Sequence, residues 1–158
     1  MILVTCGASQ IPFDRLLEAV GRLDVDEEVL VQHGPSAVRP AGARCVDFLA
    51  LDELTAAVRD ARVVVSHSGV GTILLALSNG KQPCVVPRRR AFGETVDDHQ
   101  LESARRFAAA GLVRLVEDPA DLGAVLADGT ADGSWTAAGG ELSLVTELRG
   151  YIATAVGR

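Results

Sequence analysis

The turn at residues 66–72, which reads Ser-His-Ser-Gly-Val-Gly-Thr, has the clearest chemical potential in this sequence. Apolar runs precede and follow it, as expected of a strand and a helix. A turn of small residues that opens a helix leaves backbone N–H groups unpaired and aimed at one point, where the helix dipole is positive. The pattern predicts a site for an anion such as a phosphate.

Two other segments could contribute to the same site. Residues 5–10 form a second strand-to-helix turn of small residues, in which Gly7 permits close approach of the backbone and Ser9 can donate a hydrogen bond. The alternative is an ordinary turn in which Ser9 satisfies the backbone. Residues 93–100, Gly-Glu-Thr-Val-Asp-Asp-His-Gln, offer polar groups that could bind whatever is attached to the phosphate.

Several of these residues have structural alternatives. His67 follows a buried strand and is either a structural histidine or a residue that faces a ligand. His99 and Gln100 stand beside aspartates that could simply cap a helix, and a metal site there lacks partners at a matching spacing. The basic run at residues 88–90 is either a solvated loop or a site that attracts a diphosphate or an anionic lipid.

Other well-known nucleotide and hydrolase motifs do not fit the glycine-rich turn. Leu74 stands where the dinucleotide-binding fingerprint has its third glycine. Gly80-Lys81 is followed by Gln82, where a P-loop requires Ser or Thr. The Gly-x-Ser-x-Gly elbow of hydrolases is absent from the sequence.

The elements that must position these segments alternate along the chain. Short apolar runs predict strands at residues 2–6, 28–32, 45–48, 63–66, 84–86 and 112–116. Helical spacing of apolar residues predicts helices at 13–23, 51–61, 73–77, 98–110 and 120–126. Strands without polar alternation are buried on both faces, so we predict a doubly wound, Rossmann-like α/β fold with a parallel sheet. Ligands bind such sheets at the carboxyl ends of the strands, where all of these segments lie.

The bulk composition narrows the class of protein. The 158 residues carry a net charge of −6, which disfavours a nucleic-acid partner. Hydrophobic residues make up 48% of the chain, but no apolar run is long enough to cross a bilayer, so we expect a soluble, cytoplasmic protein. Three isolated cysteines (Cys6, Cys45 and Cys84) predict reduced, buried thiols.

The predicted domain spans residues 1–127. Residues 128–140 are rich in Asp, Gly, Thr, Ala and Ser and predict a surface linker. An apolar stripe at residues 142, 145, 148, 152 and 156 predicts a C-terminal helix over 141–158. That helix either covers the sheet or docks on a partner protein.

Taken in order, these segments resemble the C-terminal domain of glycosyltransferase family 28. The matching segments, all within residues 1–115, are 5–9, 13–16, 66–72, Gly80-Lys81, Pro83, Val86-Pro87, Gly93-Glu94 and Asp98-His99-Gln100. The chain is most similar to the short stand-alone form of this domain. That form is the catalytic subunit of two-protein N-acetylglucosaminyltransferases, with bacterial counterparts in exopolysaccharide synthesis.

The resemblance implies one half of a GT-B enzyme that is split into two chains. This half would bind a UDP-sugar, such as UDP-GlcNAc, as its donor substrate. A separate membrane-associated chain would supply the acceptor-binding half and recruit this one to the inner face of the membrane. Inverting transfer to a lipid-linked or polysaccharide acceptor would need no cofactor and no metal, because backbone amides and a helix dipole would stabilise the leaving UDP.

The resemblance also implies roles for individual residues. The diphosphate would be held by Gly7, Ser9, Ser68, Gly69 and Gly71, with Thr72 and Glu94 in the same matching segments. Phe48 and Leu49 match the segment that packs on uracil, and His99 and Gln100 match the pair that reads the sugar hydroxyls. His67 is the local candidate for a general base, unless the partner supplies that group.

Two positions depart from the family's pattern. Leu75 stands where many relatives have a Glu that holds the ribose, and Thr95 stands where a His is frequent. Ribose recognition then comes from another residue, or the donor specificity differs.

Two classes of function stay open at this point. One is an enzyme subunit that transfers a sugar only with its partner present. The other is a non-catalytic subunit that binds a nucleotide-sugar or serves as a scaffold. A complete sugar-nucleotide epimerase is disfavoured because such an enzyme needs two domains in one chain.

Overall fold

Six strands form one parallel sheet in the computed structural model, which describes residues 1–128. In chain order they are β1 (Ile2–Thr5), β2 (Val29–Gln32), β3 (Arg44–Val46), β4 (Val63–Ser66), β5 (Cys84–Val85) and β6 (Arg114–Leu115). Across the sheet their order is β3-β2-β1-β4-β5-β6, with every pairing parallel. The predicted doubly wound α/β fold is confirmed.

Within residues 1–128, five α-helices accompany the strands. They are α1 (Asp14–Val20), α2 (Leu51–Asp60), α3 (Val70–Ser78), α4 (His99–Ala109) and α5 (Leu122–Ala127), with single 3₁₀ turns at Arg90–Phe92 and Pro119–Asp121. The third helix begins earlier than predicted, so that Gly71 and Thr72 belong to its first turn. The strand predicted at 45–48 begins at Arg44 and ends at Val46, although the N–H of Gly34 still donates to the carbonyl oxygen of Asp47 at 3.1 Å.

Helices cover both faces of the sheet, which explains the purely apolar strands. In β1, Ile2 and Val4 pack in one cluster with α1 and α5, while Leu3 packs in a second cluster with α2. Successive side chains of a strand point to opposite faces, so both sets must be apolar. Each such side chain removed from water contributes about 1.5–3 kcal/mol.

The strand order reverses between β1 and β4. The chain runs outward from β1 through β2 to β3, and then returns to β4 on the other side of β1. The helices that follow these two central strands lie on opposite faces, since α1 and α3 belong to different core clusters. The turns after β1 and β4 therefore part at the carboxyl edge and leave a crevice, the usual ligand position in such sheets.

Some predictions lie beyond what the structure describes. Apart from Asp128, the linker predicted at 128–140 and the helix predicted at 141–158 lie outside the described residues, so the division of the chain into these parts stays a prediction. Among residues 1–128, no helix has the length and apolar character to span a bilayer. All three cysteines are free thiols, with Cys6 and Cys84 buried as predicted and Cys45 half-buried.

Candidate functional site

The imidazole of His67 packs against Gly7 and Gly69, in the turns after β1 and β4. A Cβ added to Gly7 would lie 2.2 Å from Cε1 of His67, and one added to Gly69 would lie 2.1 Å from Nε2. Gly7 also has a φ of +74°, which favours glycine. The sequence suggested that Gly7 admits a ligand, whereas the structure shows that both glycines first admit the histidine ring.

The first turn of α3 presents unpaired hydrogen-bond donors to the crevice. Its N-cap is Gly69, and no described side chain caps the helix. The next three N–H groups belong to Val70, Gly71 and Thr72 and point out of the helix. Ser68 adds a hydroxyl that is 4% exposed and has no hydrogen-bond partner within the described residues. A buried polar group without a partner requires an explanation, and a bound anion would supply one.

The turn between β1 and α1 contributes backbone groups to the same crevice. The N–H groups of Ala8 and Ser9 make no hydrogen bond in the part of the chain that the structure describes. The N–H of Gly7, in contrast, donates to Oγ1 of Thr5 at 3.1 Å. The Oγ of Ser9 accepts a hydrogen bond from the N–H of Ile11 at 3.1 Å, so this side chain stabilises its own turn and keeps its O–H available.

Burial keeps the His67 ring neutral. Desolvation, reinforced by the positive charge of Arg88, lowers the pKa of His67 from 6.5 to about 4. Its Nδ1 is buried and makes no hydrogen bond within residues 1–128. At neutral pH the ring can donate one hydrogen bond, but it is a weak base, because an effective general base has a pKa near the working pH. A role of His67 as general base stays a prediction, and its low pKa weighs against it.

Arg88 is buried, whereas both interpretations of the basic run at residues 88–90 require exposed side chains. It is 1% exposed, and its Nη1 donates to the carbonyl oxygens of Ile11 at 2.9 Å and Pro12 at 3.1 Å. The same nitrogen donates to the Glu94 carbonyl oxygen, and Nη2 donates to that of Cys6 at 2.9 Å. A solvated or ligand-attracting role for Arg88 is therefore wrong. Its guanidinium ties the β1–α1 turn to the segment that follows β5.

Glu94 is engaged in a second link between the same two regions. Its Oε1 accepts from Nε of Arg15 and its Oε2 accepts from Nη2, each at 2.8 Å. Oε2 also accepts from the N–H of Arg89 at 2.9 Å. The residue is 5% exposed, so its observed role is to hold α1 against the segment after β5. Direct binding of the donor by Glu94 stays a prediction.

His99 and Gln100 begin α4 in different surroundings. The side chain of His99 is 79% exposed, and its Nε2 lies 3.7 Å from Oδ2 of Asp97. The Oε1 of Gln100 accepts from the N–H of Arg88 at 3.3 Å, which leaves its amide N–H groups to donate. Both side chains are free to meet a ligand, and their role in reading a sugar stays a prediction.

A cleft of about 530 Å³ opens over the carboxyl ends of β1, β2 and β3. It adjoins the crevice through Gly7, and Phe48 lines its far side with a ring that is 66% exposed. The side chain of Leu49 instead packs against the core cluster of α2, and pairing of its backbone with uracil stays a prediction. This arrangement suits the predicted packing of a base on Phe48, which itself stays a prediction.

Sequence reasoning missed three residues that shape these spaces, Arg15, His33 and Asp47. The Nε2 of His33 lies 2.8 Å from Oδ1 of Asp47 inside the cleft. His33 directly follows a buried strand, as His67 does, and this shared position was the available signal. Arg15 carried none, because its partner Glu94 is 79 residues away along the chain.

Comparison with known proteins identifies relatives of this chain. The model of the glycosyltransferase family 28 C-terminal domain matches residues 1–138. The UDP-N-acetylglucosamine transferase subunit ALG13 of Yarrowia lipolytica is 31% identical over 123 residues, which cover 68% of this chain and 60% of that protein. The chain thus spans less than two-thirds of this curated relative.

Solved structures show the same fold. The glycosyltransferase SnogD from Streptomyces nogalater superposes with a TM-score of 0.57 at 23% identity, over 82% of this chain and 35% of that one. MurG from Acinetobacter baumannii gives a TM-score of 0.56 at 20% identity, over 82% of this chain and 42% of that one. The likeness is to the Rossmann-like half of GT-B glycosyltransferases.

Proposed function

This chain belongs to glycosyltransferase family 28, as its C-terminal domain, and on that basis we propose that it is the donor-binding catalytic subunit of a two-component UDP-sugar glycosyltransferase. The proposed donor is UDP-GlcNAc or another UDP-hexose. The proposed acceptor is a lipid-linked or polysaccharide glycan carried by a second chain. The name of the relative ALG13, a UDP-N-acetylglucosamine transferase subunit, supports both the donor and the division into subunits.

The observation that carries this proposal is the set of unpaired donors around the crevice. The first turn of α3 is uncapped by any described side chain, the N–H groups of Ala8 and Ser9 are free within residues 1–128, and the Ser68 hydroxyl is buried without a partner there. The donors of α3 lie at the positive end of its helix dipole. A diphosphate would satisfy them together.

The strand order supports a direction for the whole donor. With the diphosphate between β1 and β4, the cleft over β2 and β3 would hold the nucleoside, and Phe48 would lie under the base. The sugar would then extend toward β5, where His99 and Gln100 begin α4. In this placement each part of a UDP-sugar would have a group of residues along one edge of the sheet.

The proposed reaction is an inverting displacement at the anomeric carbon. The acceptor hydroxyl oxygen forms a bond to that carbon, the bond from the carbon to the β-phosphate oxygen breaks, and UDP leaves with the electron pair. The N–H groups and the dipole of α3 would stabilise the negative charge that develops on UDP. The acceptor proton goes to a general base, which we assign to the partner because the pKa of His67 is about 4.

The partner would complete a site that is open on one side. We propose a membrane-associated chain that binds the acceptor and brings this subunit to the inner face of the membrane. The name of ALG13, a transferase subunit, supports a division of labour between two chains.

A non-catalytic subunit that binds UDP-sugar is the second candidate. It is favoured by the chemistry of the described crevice, where His67 has a depressed pKa and both carboxylate oxygens of Glu94 are engaged. Such a subunit would bind UDP but support no turnover with any partner.

Ser68→Ala tests the proposed diphosphate site. Because the Ser68 hydroxyl has no partner in the described structure, we expect its removal to leave the free energy of unfolding unchanged or slightly higher. The affinity for UDP should nevertheless fall about tenfold, since a hydrogen bond to a charged group is lost. Calorimetric titration and urea unfolding measure the two quantities.

Ser78→Ala, at the other end of α3, is the matched control and should leave UDP affinity unchanged. A wild-type chain that does not bind UDP would refute the proposed function. Transfer from UDP-GlcNAc, measured with and without the acceptor-binding partner, separates the two candidates: turnover with the partner supports the enzyme, and UDP binding without turnover supports the non-catalytic subunit.

A further inference from the structure

One exposed carboxylate in the cleft is held in a fixed place. The side chain of Asp47 is 90% exposed, yet its Oδ1 lies 2.8 Å from Nε2 of His33. The His33 ring is itself 3% exposed, and its Nδ1 lies 2.7 Å from the carbonyl oxygen of Gly34. With both ring nitrogens engaged, the imidazole has a single orientation, and Asp47 is tethered where a free surface aspartate would sample several rotamers.

The tether joins the ends of two neighbouring strands. Asp47 follows β3, whereas its partner His33 follows β2, the strand next to β1. Gly7, His33, Asp47 and Phe48 all line the same cleft.

The contacts of His33 leave one oxygen of Asp47 available. Nδ1 of His33 faces the Gly34 carbonyl oxygen, and Nε2 faces Oδ1 of Asp47. The Oδ2 of Asp47 makes no hydrogen bond within residues 1–128 and is left to accept from a ligand.

Two other polar side chains of the cleft are engaged with the backbone. Arg39 donates from Nη1 to the carbonyl oxygens of Ser36 and Val38. The hydroxyl oxygen of Ser36 accepts from the N–H of Phe13 at 2.8 Å. Asp47 is the carboxylate among the described lining residues, and its exposed oxygen can accept hydrogen bonds from hydroxyl groups of a ligand.

We propose that Asp47, oriented by His33, binds the ribose hydroxyls of the donor nucleotide. This inference rests on the proposed function, which places the diphosphate in the crevice and the base beside Phe48. The ribose then lies between them, over the end of β2, and presents two neighbouring hydroxyls to the free oxygen of Asp47. Acidic side chains bind ribose hydroxyls in the same way in other doubly wound folds.

The test compares UDP with 2′-deoxy-UDP in calorimetric titrations of the full chain. The wild type should prefer UDP by about tenfold, the usual worth of a hydrogen bond to a charged group. Asp47→Ala should weaken UDP binding by a larger factor than 2′-deoxy-UDP binding, which keeps only the 3′-hydroxyl, so that the preference falls to about one. His33→Leu, which removes the tether, should reduce the preference by a smaller factor.

Asp52→Ala, which removes an exposed carboxylate outside the cleft, is the matched control and should keep the preference of the wild type. The inference alone is overturned if the wild type binds both nucleotides equally, or if Asp47→Ala changes both affinities by the same factor. An equal loss of both affinities would indicate a structural role for Asp47, and an equal gain of both affinities would indicate simple repulsion of the nucleotide by Asp47. A wild-type chain that binds neither nucleotide overturns the proposed function as well.

Discussion

On the β5 side of the crevice, two guanidinium groups hold the backbone from within, whereas on the β3 side the side chains of Asp47 and Phe48 are exposed and only Asp47 has a tether. Arg88 and the Arg15–Glu94 pair fasten the β1–α1 turn and α1 to the segment after β5. Across the sheet, the ring of Phe48 is exposed, and Asp47 is held by His33 alone. Buried hydrogen bonds to charged groups resist displacement more strongly than exposed ones.

This difference has a functional meaning under the proposed reaction. The phosphate and sugar must be placed accurately because the bond between them breaks in the reaction. The side of the site held by Arg88 and the Arg15–Glu94 pair lies next to them. The nucleoside needs affinity rather than reactive alignment, so exposed side chains are sufficient on its side. Substitutions should therefore lower stability on the β5 side and lower affinity on the β3 side.

The largest expected effect is a loss of stability on substitution of Arg88. Arg88→Met leaves the carbonyl oxygens of Cys6, Ile11 and Pro12 without their donor, and we expect the free energy of unfolding to fall by about 3–5 kcal/mol. Urea denaturation followed by circular dichroism measures this loss. Arg90→Met, at an exposed neighbour, should change stability by less than about 0.5 kcal/mol. Equal losses of stability in the two variants would show that Arg88 does not hold the β1–α1 turn to the segment after β5.

The next effect concerns the glycines that enclose His67. Gly69→Ala places a methyl group against the ring and should lower the free energy of unfolding by about 1–3 kcal/mol. In the background His67→Ala the same change should cost far less, because the ring is gone. Gly71→Ala, where an added Cβ meets no described atom within 4 Å, is the control. Additive losses of stability in the double-mutant cycle would show that the His67 ring is not the reason for glycine at position 69.

A smaller effect follows from the pKa of His67. Because burial lowers this pKa from 6.5 to about 4, the unfolded chain binds more protons than the native chain between these values. Stability that is present above pH 6.5 is therefore lost as the pH falls toward 4. We expect this residue to account for about 1 kcal/mol of loss between pH 6.5 and 5.5. Urea titrations of the wild type and of His67→Asn at both pH values measure it, and parallel losses in the two proteins would refute it.

The smallest effect on stability is expected on the β3 side. Phe48→Ala removes an exposed ring and should change the free energy of unfolding by less than about 0.5 kcal/mol, yet weaken UDP binding about tenfold through lost stacking. Phe92 is 61% exposed on the β5 side and lines no part of the cleft, so Phe92→Ala should leave UDP affinity unchanged. A similar loss of affinity in both variants would remove the distinction between the two sides.

Much of the fold was predictable from the sequence because its signals are local. Apolar runs without polar alternation indicated buried parallel strands, and all six were found close to their predicted places. Small-residue turns after β1 and β4 indicated where helices begin and where N–H groups stay unpaired. Boundaries were less accurate where tertiary contacts decide them, as at the end of β3.

Much of the site's detail was not predictable, because each missing feature joins distant parts of the chain. Nothing in the run 88–90 distinguishes buried Arg88 from exposed Arg90; the distinction comes from carbonyl groups contributed by the β1–α1 turn. The partner of Arg15 is 79 residues away. Side-chain periodicity reports burial and not the identity of a partner across the fold.

By itself, the sequence determined the parallel α/β fold, the family resemblance and the position of the small-residue turns proposed to bind an anion, since these depend on patterns within a few residues. Only the tertiary structure decided that His67 occupies the space between Gly7 and Gly69, that Arg88 is buried, and that His33 holds Asp47 in the cleft. The physical reason is that strand order, which brings β1 between β2 and β4, arises from long-range pairing and places these groups within hydrogen-bond distance.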